Sequence, residues 1–218
     1  MITTELVFVR HGEAHCNANG VVGGPITCTG LTNLGYDQVE QAAARLAGEH
    51  RDRPFTALYT GPRLRLRQTG EILSQALGLP MRTVPGLGGP IHGVADGKSW
   101  TEVKTAADGS PHAHPDRPWA EGSDTWNGYL QRAGDFLHGL IDRHEGDRVV
   151  FAAHGETVAV AHTLLLAIPL GSPAGFTVSH GSITRWQHHL NRLDQRRWML
   201  DRHNDTAHLG ASAMEAAS

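Results

Sequence analysis

Cysteine, long apolar runs and an excess of charge of either sign are all scarce in this chain of 218 residues. Its two cysteines, Cys16 and Cys28, are too few for a disulfide-dense scaffold or a cysteine-rich zinc site. No apolar run approaches the roughly 20 residues of a membrane span, and Met1 to Glu5 lack the pattern of a signal peptide. A net charge of −3 gives no general reason to bind nucleic acid or an anionic membrane. We therefore expect a cytoplasmic protein with free thiols and no nucleic-acid or membrane partner.

Histidine, in contrast, is abundant, with 15 copies. It is the side chain that titrates, binds metals and attacks electrophiles near neutral pH. The hydrophobic content of 39% and the charged content of 19% are typical of a globular protein. The length predicts one domain over residues 1–204, and the small polar residues 205–218 predict a disordered tail.

Apolar strands alternate with amphipathic helices along the chain, which predicts a three-layer α/β/α sandwich with a mostly parallel central sheet. The strand signals are at 6–9, 55–59 and 149–153, with two late strands at 182–189 and 197–200. The helix signals lie at 39–46, 66–77, 130–141 and 158–166. Residues 85–125 are rich in Gly, Pro, His and Asp without a sustained period, and we interpret them as an inserted lid.

Three of these segments end in polar or glycine-rich residues: Arg10-His11, Thr60 to Arg65, and His154-Gly155. The carboxyl ends of parallel strands meet at one edge of a sheet, so we expect these segments to converge there. Arginine forks and backbone N–H groups suit the anionic oxygens of a phosphoryl group. Histidine adds a nucleophile that works at neutral pH. The pattern predicts phosphoryl binding, with covalent transfer to histidine as an option.

Four motifs occur in order over roughly residues 5–190. They are LVFVRHGEAHCN from Leu6, YTGPRLRLRQTGEIL from Tyr59, Glu121-Gly122-Ser123, and FAAHGETV from Phe151. Together they resemble the motifs of the histidine phosphatase superfamily, which includes the cofactor-dependent phosphoglycerate mutases.

The resemblance implies a role for each matching residue. His11 matches the nucleophile that becomes phosphohistidine, Arg10 and Arg65 match phosphate-clamping arginines, and His154 matches the second pocket histidine. Asn17 matches an asparagine expected to contact phosphate, and we expect Gly12 and Gly155 to let the backbone approach a bound anion. His11 must attack through an unprotonated nitrogen, so its other nitrogen should donate to a fixed acceptor such as a backbone carbonyl.

The resemblance also implies the reaction, which is hydrolysis of a small phosphorylated metabolite without metal or other cofactor. A phosphoglycerate-type phosphomutase is one alternative, and a phosphate-binding or regulatory protein with weak catalysis is another. The family further implies a homodimer as a partner.

The general acid is where the chain departs from the family pattern, because Gly89 occupies the position of the usual glutamate. His92 and Asp96 in the lid are the favoured replacements, and Glu13 and Glu156 are the others. Alternatively the substrate has a good leaving group, such as an acyl phosphate or phosphohistidine, and needs less acid assistance.

Several other side chains have a more ordinary interpretation. Arg63 and Arg67 are predicted to be solvated helix residues, although either could meet a second acidic group on the substrate. The pairs His112/His114 and His188/His189 lack a supporting carboxylate or cysteine at metal-ligand spacing, so no metal site is predicted.

Overall fold

The computed structural model describes residues 1–210, whose strands form one six-stranded sheet. The strands are β1 (Ile2–Arg10), β2 (Ala57–Thr60), β3 (Met81–Thr83), β4 (Arg148–Ala153), β5 (Ile183–Leu190) and β6 (Arg196–Asp205). Their order across the sheet is β3-β2-β4-β1-β5-β6. Strands β1 to β4 pair in parallel, whereas β5 is antiparallel to both β1 and β6. The predicted α/β class with a mostly parallel sheet is confirmed.

The structure has six α-helices: α1 (His15–Ala18), α2 (Asn33–Asp52), α3 (Leu64–Leu77), α4 (Trp100–Ala106), α5 (Trp126–Asp142) and α6 (Gly155–Leu165), counted over residues 1–210. The apolar periodicity predicts α2, α3, α5 and α6, which cover the sheet, whereas it does not predict α1 and α4. Helices α2 and α5 begin at a threonine cap, since the side chains of Thr32 and Thr125 accept from the third backbone N–H that follows. Such a cap is worth about 1 kcal/mol. No helix among residues 1–210 is long and apolar enough to cross a membrane.

Two hydrophobic cores lie on opposite faces of the sheet because successive strand residues point to opposite sides. On β1, Leu6 and Phe8 pack toward α5 and α6, while Val7 and Val9 pack toward α2 and α3. All four side chains are fully buried. The sheet is therefore covered on both faces, which leaves its carboxyl edge as the place for a site.

A buried charge lies at the end of the sheet opposite the carboxyl edge, on the central strand β1. Glu5 on β1 is fully buried, and its Oε1 accepts from Arg148 at 2.6 Å and from Arg185 at 2.9 Å. These arginines lie on the two strands that flank β1. At the carboxyl edge the same register pairs Arg10 with Ala153. His11 and His154 therefore each follow a paired position.

The predicted lid, residues 85–125, contains α4 and two 3₁₀ turns at Pro85–Leu87 and Gly93–Ala95. It has a small core of its own, in which Val103 and Trp119 pack with Ala95 and with Val22 from the loop that follows α1. The lid thus rests on the loop that follows α1.

The predicted tail differs from the structure at its start. Strand β6 extends to Asp205, whose carboxylate accepts from Arg45 at 2.8 Å. Leu209 is buried, and Nε2 of His208 bonds the carbonyl of Gly181. An apolar contact and an ion pair therefore fasten residues 205–210 to the domain. The rest of the predicted tail, residues 211–218, lies outside the described residues.

Candidate active site

The end of β1 fixes His11 in one orientation. Its side chain is 2% exposed, and its Nδ1–H donates to the carbonyl of Gly12 at 2.7 Å. Nε2 in turn accepts from the Nε–H of Arg65 at 3.2 Å. Both contacts require the tautomer with a lone pair on Nε2, which is the form of a nucleophile. The backbone acceptor is the kind that the sequence analysis required.

The surroundings of His11 keep it neutral. Burial is the largest effect, and the charges of Arg65 and Arg10 add to it, so the pKa of His11 lies well below its ordinary value. A buried imidazole beside two guanidinium groups cannot easily accept a proton. Its Nε2 lone pair is therefore available over a wide pH range.

His154 lies across the pocket from His11 at the start of α6. The two rings meet edge to face with centroids 5.3 Å apart. His154 is 1% exposed, and its buried Nε2 has no hydrogen-bond partner among the described residues. Burial and then the charges of Arg65 and Arg63 lower its pKa. A buried ring nitrogen without a partner is costly unless a ligand satisfies it, so this atom points to a ligand position.

Arg10, Arg65 and Arg63 give the pocket its positive charge. Nη1 of Arg65 donates to the carbonyl of Gly23 at 2.9 Å, and Nη1 of Arg10 donates to the carbonyl of Val178. Nε of Arg10 is buried without a partner in residues 1–210. The donors on these side chains suit the oxygens of a phosphoryl group.

The prediction that Arg63 is a solvated helix residue is wrong. It is 6% exposed and donates to the carbonyls of Gly23 and Pro90. It precedes the first residue of α3 and therefore points back over the pocket rather than along the helix face. Burial, followed by the charge of Arg65, lowers its pKa to about 10, so it keeps its charge at neutral pH. Arg67 is exposed, as predicted.

His180 is a third pocket histidine that the sequence analysis missed. Its ring centroid lies 5.6 Å from that of His11, and neither buried ring nitrogen has a partner among residues 1–210. Burial and then Arg10 lower its pKa to about 3. It precedes β5, and the amino end of this antiparallel strand meets the carboxyl end of β1. The predicted strand start at Ser182 was the signal that could have located it.

Asn17 and Gly12, which were expected at the phosphate, have structural contacts instead. Oδ1 of Asn17 accepts from the N–H of Ala14 at 3.1 Å and caps α1, and the residue is exposed. A Cβ on Gly12 would lie 2.0 Å from the carbonyl oxygen of Gly35, so the glycine permits close packing against α2. Its carbonyl also orients His11.

Gly155, in contrast, lies beside a pocket arginine. A Cβ at this position would lie 3.4 Å from Nε of Arg10. As the first residue of α6, it also places a helix N-terminus, which favours anions, at the pocket.

Two of the four general-acid candidates serve as hydrogen-bond acceptors that hold loops. Oε1 of Glu13 accepts from Thr32 at 2.8 Å at the start of α2. Asp96 accepts from the N–H groups of Gly24 and Ile26 at 2.9 and 3.0 Å, and from Thr27. Burial would raise the pKa of Asp96, but these hydrogen bonds outweigh it and lower the pKa. A carboxylate held in this way is a poor proton donor.

The other two candidates, His92 and Glu156, lie near the arginines, but neither carries the proton that a general acid donates. His92 packs between Trp100 and Trp119, with ring centroids at 5.8 Å in both pairs. Burial, then Arg63, lowers its pKa to about 4. For Glu156, burial alone would raise the pKa, but Arg10 and the other pocket arginines outweigh it and lower the pKa. At neutral pH the imidazole is therefore neutral and the carboxylate is ionised.

Gly89, at the position of the usual glutamate, lies directly against the pocket. It has a φ of +77°, and a Cβ built there would lie 2.7 Å from Cδ2 of His154. The ring of His154 therefore occupies space that a side chain at position 89 would need. The site has no carboxylate at this position and no room for one without movement.

Both cysteines are free and contact the same arginine. Nη1 of Arg65 lies 3.2 Å from Sγ of Cys28 and 3.7 Å from Sγ of Cys16. Within residues 1–210 no group of three His, Cys, Asp or Glu side chains has the geometry of a metal site. The pocket thus combines three guanidinium groups with three neutral imidazoles, a set that can bind a phosphoryl dianion and attack it.

Comparison with known families gives one match over most of the chain. Residues 6–206 match the model of the family described as histidine phosphatase superfamily (branch 1). That range includes the three arginines and the three histidines of the pocket.

Similar proteins include a metal-independent phosphoserine phosphatase of Arabidopsis thaliana, 28% identical over 95% of this chain and 84% of the relative. A probable phosphoglycerate mutase of Erwinia tasmaniensis is 24% identical over 97% of both chains. Among solved structures, a mycobacterial glucosyl-3-phosphoglycerate phosphatase has a TM-score of 0.76 at 23% identity, over 92% of this chain and 98% of that one. The mycobacterial hydrolase 2 structure has a TM-score of 0.79 at 22% identity, over 100% of this chain and 97% of that one. These structures share the fold.

Proposed function

The chain belongs to the histidine phosphatase superfamily, and we propose that it is a phosphatase that hydrolyses a small phosphorylated metabolite through a phosphohistidine on His11. The observation that carries this proposal is the paired hydrogen bonding of the His11 ring. Nδ1–H is held by the Gly12 carbonyl, and Nε2 faces the arginine cluster with its lone pair. No metal or other cofactor is needed, because protein cations balance the charge of the phosphoryl group.

In the first step, Nε2 of His11 attacks phosphorus, and the bond from phosphorus to the ester oxygen breaks. Arg10, Arg65 and Arg63 balance the negative charge on the equatorial oxygens. The unpartnered Nε2 of His154 contacts one of these oxygens. The leaving oxygen departs with the bonding pair and must gain a proton to become an alcohol.

We assign this proton to His180. Its two ring nitrogens have no partner within residues 1–210, and it lies beside the nucleophile. A phosphoryl dianion bound next to it raises its pKa, because an opposite charge favours the protonated ring. The imidazolium then donates to the leaving oxygen. Glu13 and Asp96 are unsuited, because their oxygens already hold loops.

In the second step, a water molecule attacks the phosphorus of phosphohistidine, and the P–N bond breaks. The electron pair returns to Nε2 of His11, and the water's proton passes to His180, which restores its charge for the next cycle. Inorganic phosphate leaves. The names of the similar proteins, a phosphoserine phosphatase and a glucosyl-3-phosphoglycerate phosphatase, support a small phosphomonoester as substrate.

A phosphoglycerate-type mutase is the second candidate function, supported by the Erwinia relative of that name. A mutase must hold the phosphoryl group on histidine until the acceptor returns. The glycine at position 89 also keeps open a weakly catalytic, phosphate-binding protein, because no carboxylate occupies the usual acid position.

The test is to trap the phosphoenzyme. The protein is mixed with an aryl phosphate labelled in the phosphoryl group, quenched in base and analysed for an acid-labile, base-stable label. We expect label on the wild type and on His15→Asn, an exposed neighbour, but not on His11→Asn. Label that persists on His11→Asn would overturn the assignment of the nucleophile.

Free phosphate released from the aryl phosphate separates an enzyme from a binding protein. Interconversion of phosphoglycerates, with and without the bisphosphate primer, separates a mutase from a phosphatase. Faster interconversion than hydrolysis would replace the phosphatase assignment with the mutase.

A further inference from the structure

A cavity of about 230 Å³ adjoins the phosphate pocket on the side of Arg10. Its wall includes Arg10 and Gly155, which also border the phosphate pocket. It is also lined by two aromatic residues, Trp126 and Phe176. A group attached to a phosphate held by Arg10 can therefore extend into this cavity.

The same wall carries one carboxylate, that of Glu156. Glu156 is the second residue of α6, and the cavity is bordered by its side chain. Among residues 1–210 its carboxylate forms no ion pair and no hydrogen bond with another side chain, although it bonds its own backbone N–H and is attracted by Arg10. A carboxylate at the border of a cavity without such a partner is available to a ligand.

The charges around Glu156 keep it ionised. Arg10 is the largest of the effects that lower its pKa, ahead of Arg65 and Arg63. A phosphate dianion that binds the arginines neutralises their positive charge. The carboxylate of Glu156 then remains as an uncompensated negative charge beside the leaving group. A second carboxylate on the substrate would be repelled there, whereas a cationic donor would be attracted.

We propose that this cavity is the subsite for the leaving group and that Glu156 makes it select a leaving group with an ammonium over one with a carboxylate. The ligand class is thus the phosphate monoester of a small amino alcohol. The aromatic side chains of Trp126 and Phe176 give a further surface for a cation. This inference rests on the proposed phosphatase function, because it identifies the substrate class of the same site.

The experiment compares three monoesters that differ in one terminal group. They are 2-aminoethyl phosphate (cationic), propyl phosphate (neutral, of the same size) and phosphoglycolate (anionic). Each is measured by thermal stabilisation of the full-length protein and as a competitive inhibitor of aryl phosphate hydrolysis. For the wild type we expect apparent affinity to fall in that order, by about tenfold or more from the first to the last.

The variant Glu156→Gln keeps the shape and removes the charge. We expect it to bind 2-aminoethyl phosphate more weakly and phosphoglycolate more tightly, so that the ratio of the two affinities collapses. The matched control, Glu71→Gln, removes one charge from an exposed position on α3 and keeps the wild-type ratio. A shift of all three ligands by the same factor in Glu156→Gln would mean that Glu156 only balances the arginines, and would overturn the proposal.

Binding does not depend on turnover, so the two proposals fail in different ways. Binding of the three ligands in the expected order without hydrolysis of any ester would support the subsite and contradict the phosphatase function. Hydrolysis of the aryl phosphate together with equal binding of the three ligands would support the phosphatase function and contradict the subsite.

Discussion

The Nε–H group of Arg65 donates to Nε2 of His11 over 3.2 Å, so the proposed phosphate clamp is hydrogen-bonded to the proposed nucleophile. In the proposed mechanism, the lone pair that attacks phosphorus is the one that accepts this bond. Attack therefore requires the Nε–H of Arg65 to turn away from Nε2 of His11 and to donate instead to an oxygen of the phosphoryl group. Nη1 of Arg65, which bonds the carbonyl of Gly23, can act as the pivot of this small movement.

Replacing Arg65 tests this relationship. We expect Arg65→Gln to lower kcat/KM by about 10²- to 10³-fold, the loss typical of a donor that stabilises a transition-state oxygen. Arg65→Lys keeps the charge but loses the forked pair of donors, so its kcat/KM should lie between those of the wild type and Arg65→Gln. Arg67→Gln is the control, since Arg67 is exposed on the same helix. Steady-state kinetics with an aryl phosphate suffice, and equal losses at both positions would refute the clamp.

The assignment of His180 predicts a dependence on the leaving group. His180→Asn should slow hydrolysis of alkyl phosphates by about 10²-fold or more, because general acid catalysis contributes about that much. Aryl phosphates, whose leaving groups need little protonation, should be slowed far less. Turnover is measured over a series of esters with leaving groups of increasing pKa. If the loss is the same for every ester, His180 is not the acid.

The acid limb of the pH profile reports on His11. Burial, then Arg65 and Arg10, lower its pKa, so its neutral form persists below pH 6.5 and kcat/KM should not fall at the pH of an ordinary histidine. Arg10→Gln removes one of these charges and should move the limb to higher pH. The substrate's own ionisation is identical in both profiles and cancels in their difference. A limb that moves to lower pH in Arg10→Gln would contradict this account.

Restoring a glutamate at position 89 should not restore an acid. The left-handed backbone costs a side chain about 1–3 kcal/mol, and the Cβ would also press on His154. We expect Gly89→Glu to lower both the unfolding free energy and the turnover of alkyl phosphates. Gly78→Glu is the control, because Gly78 has a φ of +63° with no atom within 4 Å. Gly78→Glu introduces the backbone strain without the clash. A loss of turnover in this control would therefore show that the clash with His154 is not the cause.

The thiol of Cys28 should be unusually reactive. Burial would raise its pKa, but Arg65 outweighs this and lowers the pKa from its ordinary value of 9.0. Iodoacetamide should therefore alkylate Cys28 before Cys16, which is buried and has a raised pKa. Mass spectrometry identifies the site, and phosphatase activity should fall as Cys28 is modified, because the added group presses on Arg65. Cys28→Ala should be resistant to this inactivation.

Much of the fold and part of the pocket could be predicted from local sequence patterns. The strands before His11 and His154 are continuous apolar runs, and their motifs are contiguous, so both histidines could be placed at the sheet edge. Arg63 could not, because its burial depends on the carbonyls of Gly23 and Pro90, which come from distant loops.

The loop contacts of Glu13 and Asp96 could not be predicted for a similar reason. The tie between Asp96 and the N–H of Gly24 joins residues that are 72 positions apart. Helical or strand periodicity carries no information about such contacts. His180 required the antiparallel pairing of β5 with β1, which no local pattern specifies.

The buried carboxylate of Glu5 has a consequence for folding fidelity. A slip of β4 by one residue along β1 would displace His154 by about 3.3 Å and turn its side chain to the other face of the sheet. The same slip would break the ion pair between Glu5 and Arg148, so that the buried Glu5 would keep its pair with Arg185 but lose one of its cationic partners. The misregistered pairing of β4 with β1 is therefore disfavoured. The ion cluster at one end of the sheet thus acts as a check on assembly of the histidine pair at the other.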